Sequence, residues 1–228
     1  MKDILPRYRA LLRDRRYLWS LAASAAMLAA SVVVMYFAAL YAFDRASSPV
    51  SDIVLSNIPV FDVDWAFVWG PIVFWAAIAV FLLWKPERIP FALKSIALFV
   101  VVRSAFITLT HIGPYPDHVV IDSVGTGWLQ TAFHGDLYFA FFGSGSDLFF
   151  SGHTGLPFLM ALVFWADRRT RAFCLVAAAF FAAVVLMGHL HYSIDVASAF
   201  FITYAIFAIA KKAFKRDLAM GYSQEARP

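Results

Sequence analysis

Cysteine and charge are what this chain has least of. Its 228 residues include a single cysteine, Cys174, which excludes an intrachain disulfide and any multi-cysteine zinc or iron–sulfur centre. Charged residues make up 15% of the chain, against about 25% in a soluble domain, while 62% are hydrophobic. That balance excludes a disordered chain, and a water-soluble fold could hardly cover so much apolar surface. Internal repeats, a soluble domain and low-complexity linkers are also missing. In their place stand long apolar runs and many aromatics, with 24 Phe, 9 Tyr and 7 Trp, enough for belts at both interfaces of a membrane.

A bilayer core takes about 20 apolar residues as helix. Six stretches fit that requirement: 17–43, 65–84, 89–110, 148–166, 172–188 and 193–210, the last three being short. Sixteen of the nineteen Lys and Arg fall on one side of them: six before Tyr17, then Lys85 and Arg88, Arg168, Arg169 and Arg171, and five after Ala210. Arg45 alone lies opposite, and Lys94 and Arg103 lie within a span. The positive-inside rule then puts both termini in the cytoplasm. The expected fold is an all-α integral membrane protein with six transmembrane helices. It divides into a basic cytoplasmic interfacial segment (1–16), a six-span membrane domain (17–210) and a basic cytoplasmic tail (211–228), with 221–228 read as disordered. The first apolar run is about twice the 7–15 residues of a signal peptide and reads as an anchor. The net charge of +4 collects where anionic lipid would meet it, so no nucleic-acid partner is expected.

All six histidines, His111, His118, His134, His153, His189 and His191, fall on the opposite, non-cytoplasmic side, as do nine of the fifteen acids. The cytoplasmic face offers charges that serve orientation, and Lys94 is expected simply to snorkel. Two clusters stand out: Asp147-Leu148-Phe149-Phe150-Ser151-Gly152-His153-Thr154, opening the fourth span, and His189-Leu190-His191-Tyr192-Ser193-Ile194-Asp195-Val196, opening the sixth. His191 and Asp195, four apart, would share one helix face. A carboxylate so placed holds one imidazole nitrogen and leaves the other free as a nucleophile. His189, two residues from His191, would point away, which argues against one metal site holding both. Ser151-Gly152 gives a small backbone at a helix N-terminus, where free N–H groups and the dipole favour an anion. Arg103, about two turns inside its span, wants an anionic partner such as Asp195, Asp147 or a substrate phosphate.

These clusters resemble the signature motifs of the sphingomyelin synthase-like branch of the type-2 phosphatidic acid phosphatase superfamily. Asp147 and Phe150-Ser151-Gly152-His153-Thr154 match C-G-D-x-x-F-S-G-H-T. His189, His191, Tyr192, Asp195 and Val196 match H-E-H-Y-T-x-D-V, with Ser193 for Thr. Arg103 with Thr108, Thr110 and Pro114 resembles the family's second motif, and Ser48 to Asp52 weakly echoes its first. The departures are Gly145 and Ser146 for Cys and Gly, and Leu190 for Glu. Val185 stands where the wider superfamily has an Arg.

The resemblance implies a lipid phosphotransferase that moves a phospholipid head group to a lipid alcohol such as ceramide or diacylglycerol. Its site would face the periplasm, lumen or cell exterior. His191 would be the nucleophile, Asp195 its orienting carboxylate and His153 the general acid and base. Arg103, Ser151, Gly152 and Asp147 would bind the substrate. No cofactor or metal is expected, and a homo-oligomer is possible. With water as acceptor, the same His-His-Asp site would make a lipid phosphate phosphatase.

Overall fold

The computed structural model describes residues 4–119 and 148–223, which fold as helices with no strand among them. Helix α1 (Ile4–Arg13) lies in the basic N-terminal segment, where an interfacial helix is expected. It breaks at Asp14, whose carboxylate accepts the Arg16 N–H (2.9 Å) and caps α2 (Arg15–Asp44). A loop with a 3-10 turn at Leu55–Asn57 leads to α3 (Asp64–Trp84), and a second such turn, Pro86–Arg88, runs into α4 (Ile89–Leu109). The second described stretch holds α5 (Gly152–Val163), α6 (Arg168–Met187), α7 (Ser193–Ala213) and α8 (Lys215–Ser223).

Five of these helices, α2, α3, α4 with its leading turn, α6 and α7, are long and apolar enough to cross a membrane. Each answers to one of the expected spans. The expected span 148–166 is shorter than its hydropathy suggests: α5 has 12 residues. That is about 18 Å of helix against a hydrocarbon core of about 30 Å. Local capping sets its limits. Ser151 Oγ accepts the Thr154 N–H (3.3 Å) at its start, and Asp167 Oδ1 accepts the Arg169 and Thr170 N–H groups (3.2 Å each) to begin α6.

The short helix is the centre of the bundle. Leu159, Met160 and Ala161 of α5 are inaccessible, packed with Phe99 of α4, Ile206 of α7 and Phe181 of α6. Close approach depends on Gly155: a Cβ there would fall 2.8 Å from the Phe99 ring and 2.9 Å from Thr203 Oγ1. The long helices turn large apolar side chains outward instead, among them Trp19, Val73, Val176 and Phe201. Hydrocarbon matches such a surface and water does not.

At the end of the bundle that carries α1 and α8, two expectations need correction. Lys94 does not snorkel: it is buried, with Nζ 2.6 Å from Asp217 Oδ2 on α8 and 2.9 Å from Ser20 Oγ. Its partner lies 123 residues away, so a buried pair replaces exposure. The start of the expected disordered tail is instead the last turn of α8, with Gly221 buried against Arg88; residues 224–228 lie outside the described residues. Other polar side chains here are also matched. Arg7 pairs with the buried Glu87, Lys85 with Asp167 (3.0 Å), and Arg88 donates to Val163 O (3.1 Å).

Candidate active site

Tyr192 is the N-cap of α7 and Asp195 its third residue. Asp195 Oδ2 accepts the Tyr192 N–H (2.9 Å), the carboxylate half of a capping box. The same oxygen lies 3.4 Å from Nδ1 of His191. The pair therefore does not share a helix face, as its spacing predicts; His191 precedes the helix and Asp195 folds back to it. The contact favours the tautomer with the proton on Nδ1, leaving Nε2 as the basic nitrogen. Asp195 is fully buried, and its Oδ1 has no partner among the described residues.

The chain reaches His191 through a tight turn that ends α6. Leu190 N–H bonds Val185 O (2.9 Å), and His189 takes a left-handed φ of 52°. A non-glycine residue is strained there by about 1–2 kcal/mol. The His189 ring is buried edge-on to Tyr115 (5.1 Å), and neither nitrogen has a partner among the described residues.

The second cluster begins α5. Ser151 is buried and donates its N–H to Asp195 O (3.1 Å), which stitches the two motifs together through the backbone. His153 stacks on Phe67 of α3 (centroids 4.1 Å, 23°) with Phe181 edge-on to it. Arg103 of α4 is buried and its Nε donates to Phe150 O (3.0 Å). Gly152 lies against the same side chain: a Cβ there would sit 3.4 Å from Arg103 Nε, an ordinary contact. Asp147 lies outside the described residues.

Arg103, Gly152, His153 and His191 line one cavity of about 720 Å³. Ser151 and Asp195 do not reach its wall. The rest of the lining is mostly apolar: Leu28, Val32 and Met35 of α2, Phe67, Phe74 and Trp75 of α3, and Ile96 and Phe99 of α4. The lining thus offers a guanidinium, three imidazoles and a helix N-terminus, groups that favour an anion. The rest of it offers hydrocarbon. Among the described residues no three His, Cys, Asp or Glu side chains gather as a metal site.

Sequence reasoning gave no role to His118, which lines the cavity and has Nδ1 2.6 Å from Tyr115 O. Leu190, at the position of the family's Glu, also lines it. The stacking of Phe67 on His153 had no signal in the sequence, because an aromatic on an apolar span looks like any other.

Residues 145–212 match the family model described as PAP2 superfamily C-terminal. The match covers under a third of the chain and includes both clusters. It supports a relation of this segment to the type-2 phosphatidic acid phosphatase superfamily, whose members are phosphatases and phosphotransferases. No curated protein matches the chain.

Proposed function

We propose that the protein is a lipid phosphotransferase of the membrane. It would move a phospholipid head group to a lipid alcohol such as ceramide or diacylglycerol through a phosphohistidine at an extracytoplasmic site. One observation carries this reading: a histidine backed by a buried carboxylate, a second histidine, a buried arginine and a helix N-terminus line one mostly apolar cavity. A molecule with a phosphate at one end and hydrocarbon at the other fits that division.

In the first step His191 Nε2 attacks phosphorus and the bond to the diacylglycerol oxygen breaks. His153 gives that oxygen a proton, while Asp195 stabilises the imidazolium formed. In the second step His153 takes the proton of the acceptor hydroxyl. That oxygen attacks phosphorus, the P–N bond breaks and His191 is free again. Arg103 and the N–H groups at the start of α5 hold the non-bridging oxygens, where positioning and charge stabilisation do most of the work.

The short α5 becomes the sixth crossing, with both termini cytoplasmic as the Lys and Arg distribution requires. Being about 18 Å long, it sets Ser151–His153 below the outer boundary, within reach of a phosphoester at the head-group level. Single cysteines introduced at Ser48 and at Lys212 should react with a membrane-impermeant maleimide from opposite sides, Cys174 being buried.

Leu190 on the cavity wall favours a second reading, a lipid phosphate phosphatase with water as acceptor, because it removes a polar group that could hold a lipid alcohol. Purified protein in liposomes of mixed phospholipids, ceramide and phosphatidic acid separates the two. A new head-group sphingolipid with diacylglycerol, absent in His191→Ala, supports the transferase. Free phosphate alone supports the phosphatase, and neither product overturns both.

A further inference from the structure

Outside the cavity, a second carboxylate touches the start of α7. Asp52 lies in the loop between α2 and α3 and is buried. Its Oδ1 accepts the N–H groups of Val54 (2.8 Å) and Leu55 (3.1 Å), which shapes the turn at Leu55–Asn57. Its Oδ2 reaches across the fold to accept the Ser193 N–H at 2.7 Å. Burial pushes the Asp52 carboxyl up, but these N–H donors together with the Ser193 hydroxyl outweigh it and hold the group below its ordinary 3.8.

Ser193 is the first residue of α7 and stands midway between His191 and Asp195. A helix start leaves its first N–H groups without intrahelical partners, and Tyr192 cannot cap them as Ser or Asp would. Two carboxylates share these donors, Asp195 taking the Tyr192 N–H and Asp52 the Ser193 N–H. The loop is fastened beside this contact as well, by Val50 N–H to the Tyr192 hydroxyl (3.2 Å) and by that hydroxyl to Gly113 O (2.9 Å). Without Asp52, the Ser193 N–H is left to compete for the Asp195 carboxylate.

We infer that Asp52 is a positioning residue: by holding the Ser193 N–H it keeps Asp195 committed to His191. Its effect on turnover rests on the function proposed above; its effect on His191 does not.

A double-mutant cycle tests the link. Asp52→Asn replaces one carboxylate oxygen by an NH₂ group that cannot accept. Ser193→Pro deletes that N–H, and with it the hydroxyl that also bonds Asp52, at a site suited to proline, the first position of a helix preceded by an extended residue (Tyr192 φ −69°, ψ 156°). In liposomes, each variant should lower kcat about tenfold or more with KM within about twofold, as a small misplacement of a catalytic pair does. The double variant should be no slower than the slower single one. Multiplying effects, or a loss confined to KM, would overturn the inference.

A readout without turnover accompanies it. In protein labelled with ¹⁵N-histidine, the ring signals of His191, identified by their absence in His191→Ala, should move in Asp52→Asn and Ser193→Pro and stay in Asp62→Asn. Unmoved signals overturn the positioning role even where activity falls. Moved signals in a protein that forms no product leave the positioning role standing and overturn the proposed function.

Discussion

The two ends of the bundle handle polar groups in opposite ways. At the end bearing α1 and α8, charges meet in pairs: the buried Lys94 with Asp217, Arg7 with the buried Glu87, and the half-buried Lys85 with Asp167. The space between α8 and the turn at Pro86–Arg88 is about 10 Å³, too small for a ligand. At the other end, Arg103 and three histidines, His118, His153 and His191, line a cavity about seventy times larger. Charges matched to one another hold helices together. Groups that line a cavity are the ones a bound substrate would touch. Burial alone would have ranked Lys94 beside Arg103; what each one faces distinguishes them.

Substitutions sharpen this contrast, and the largest effects belong to the cavity end. His191→Ala should lower turnover by about 10³-fold or more in the liposome assay, as loss of a nucleophile does elsewhere. Asp195→Asn should cost about 10²-fold or more, because an amide no longer selects the Nδ1–H tautomer. Arg103→Ala should lower kcat about 10²-fold, the scale of losing one donor to a developing oxyanion, and Arg103→Lys should recover only part of it. All four variants should unfold within a few degrees of the parent protein. A loss of stability as large as the loss of activity would erase the distinction between the two ends.

The other end should answer in stability. Removing one partner of the buried pair, in Asp217→Ala, leaves Lys94 uncompensated and should cost about 3 kcal/mol in thermal or denaturant unfolding. Activity per folded molecule should stay within about twofold. The smallest effect is on pH. Burial pushes the Asp167 carboxyl up, but Lys85 and the Thr170 N–H outweigh it and hold the group below 3.8. A group depressed in the folded state contributes stability above its unfolded value and loses it as pH falls through the folded one. Unfolding followed between about pH 5 and pH 2 should therefore lose stability less steeply in Asp167→Asn.

Much of the fold could be read from the sequence, because an uncharged run of 20 residues has few other structures open to it. The ends of α2 and α3 were legible for that reason. The extent of α5 was not: hydropathy runs on past Phe164, and the helix is trimmed by hydrogen bonds to Ser151 and Asp167. At the site, His191 and Asp195 could be paired by spacing, although a cap rather than a helix face brings them together. The link from Asp52 to Ser193 and the bond from Lys94 to Asp217 span 141 and 123 residues. Nothing local in the chain records them. The Phe150 carbonyl on Arg103 was equally hidden, since a backbone group carries no residue signature.

The proposed mechanism rests on His191 carrying the transferred group, and that can be measured directly. Purified protein in liposomes is given phosphatidic acid or a phospholipid labelled with ³²P in its head group, then quenched in alkali, and the label is located by peptide mass spectrometry. The mechanism predicts label on His191 in the parent protein, none in His191→Ala, and a longer-lived adduct in His153→Ala, where the acceptor hydroxyl lacks its base. Product formed at the parent rate by His191→Ala, with no label at residue 191 of the parent protein, would contradict it.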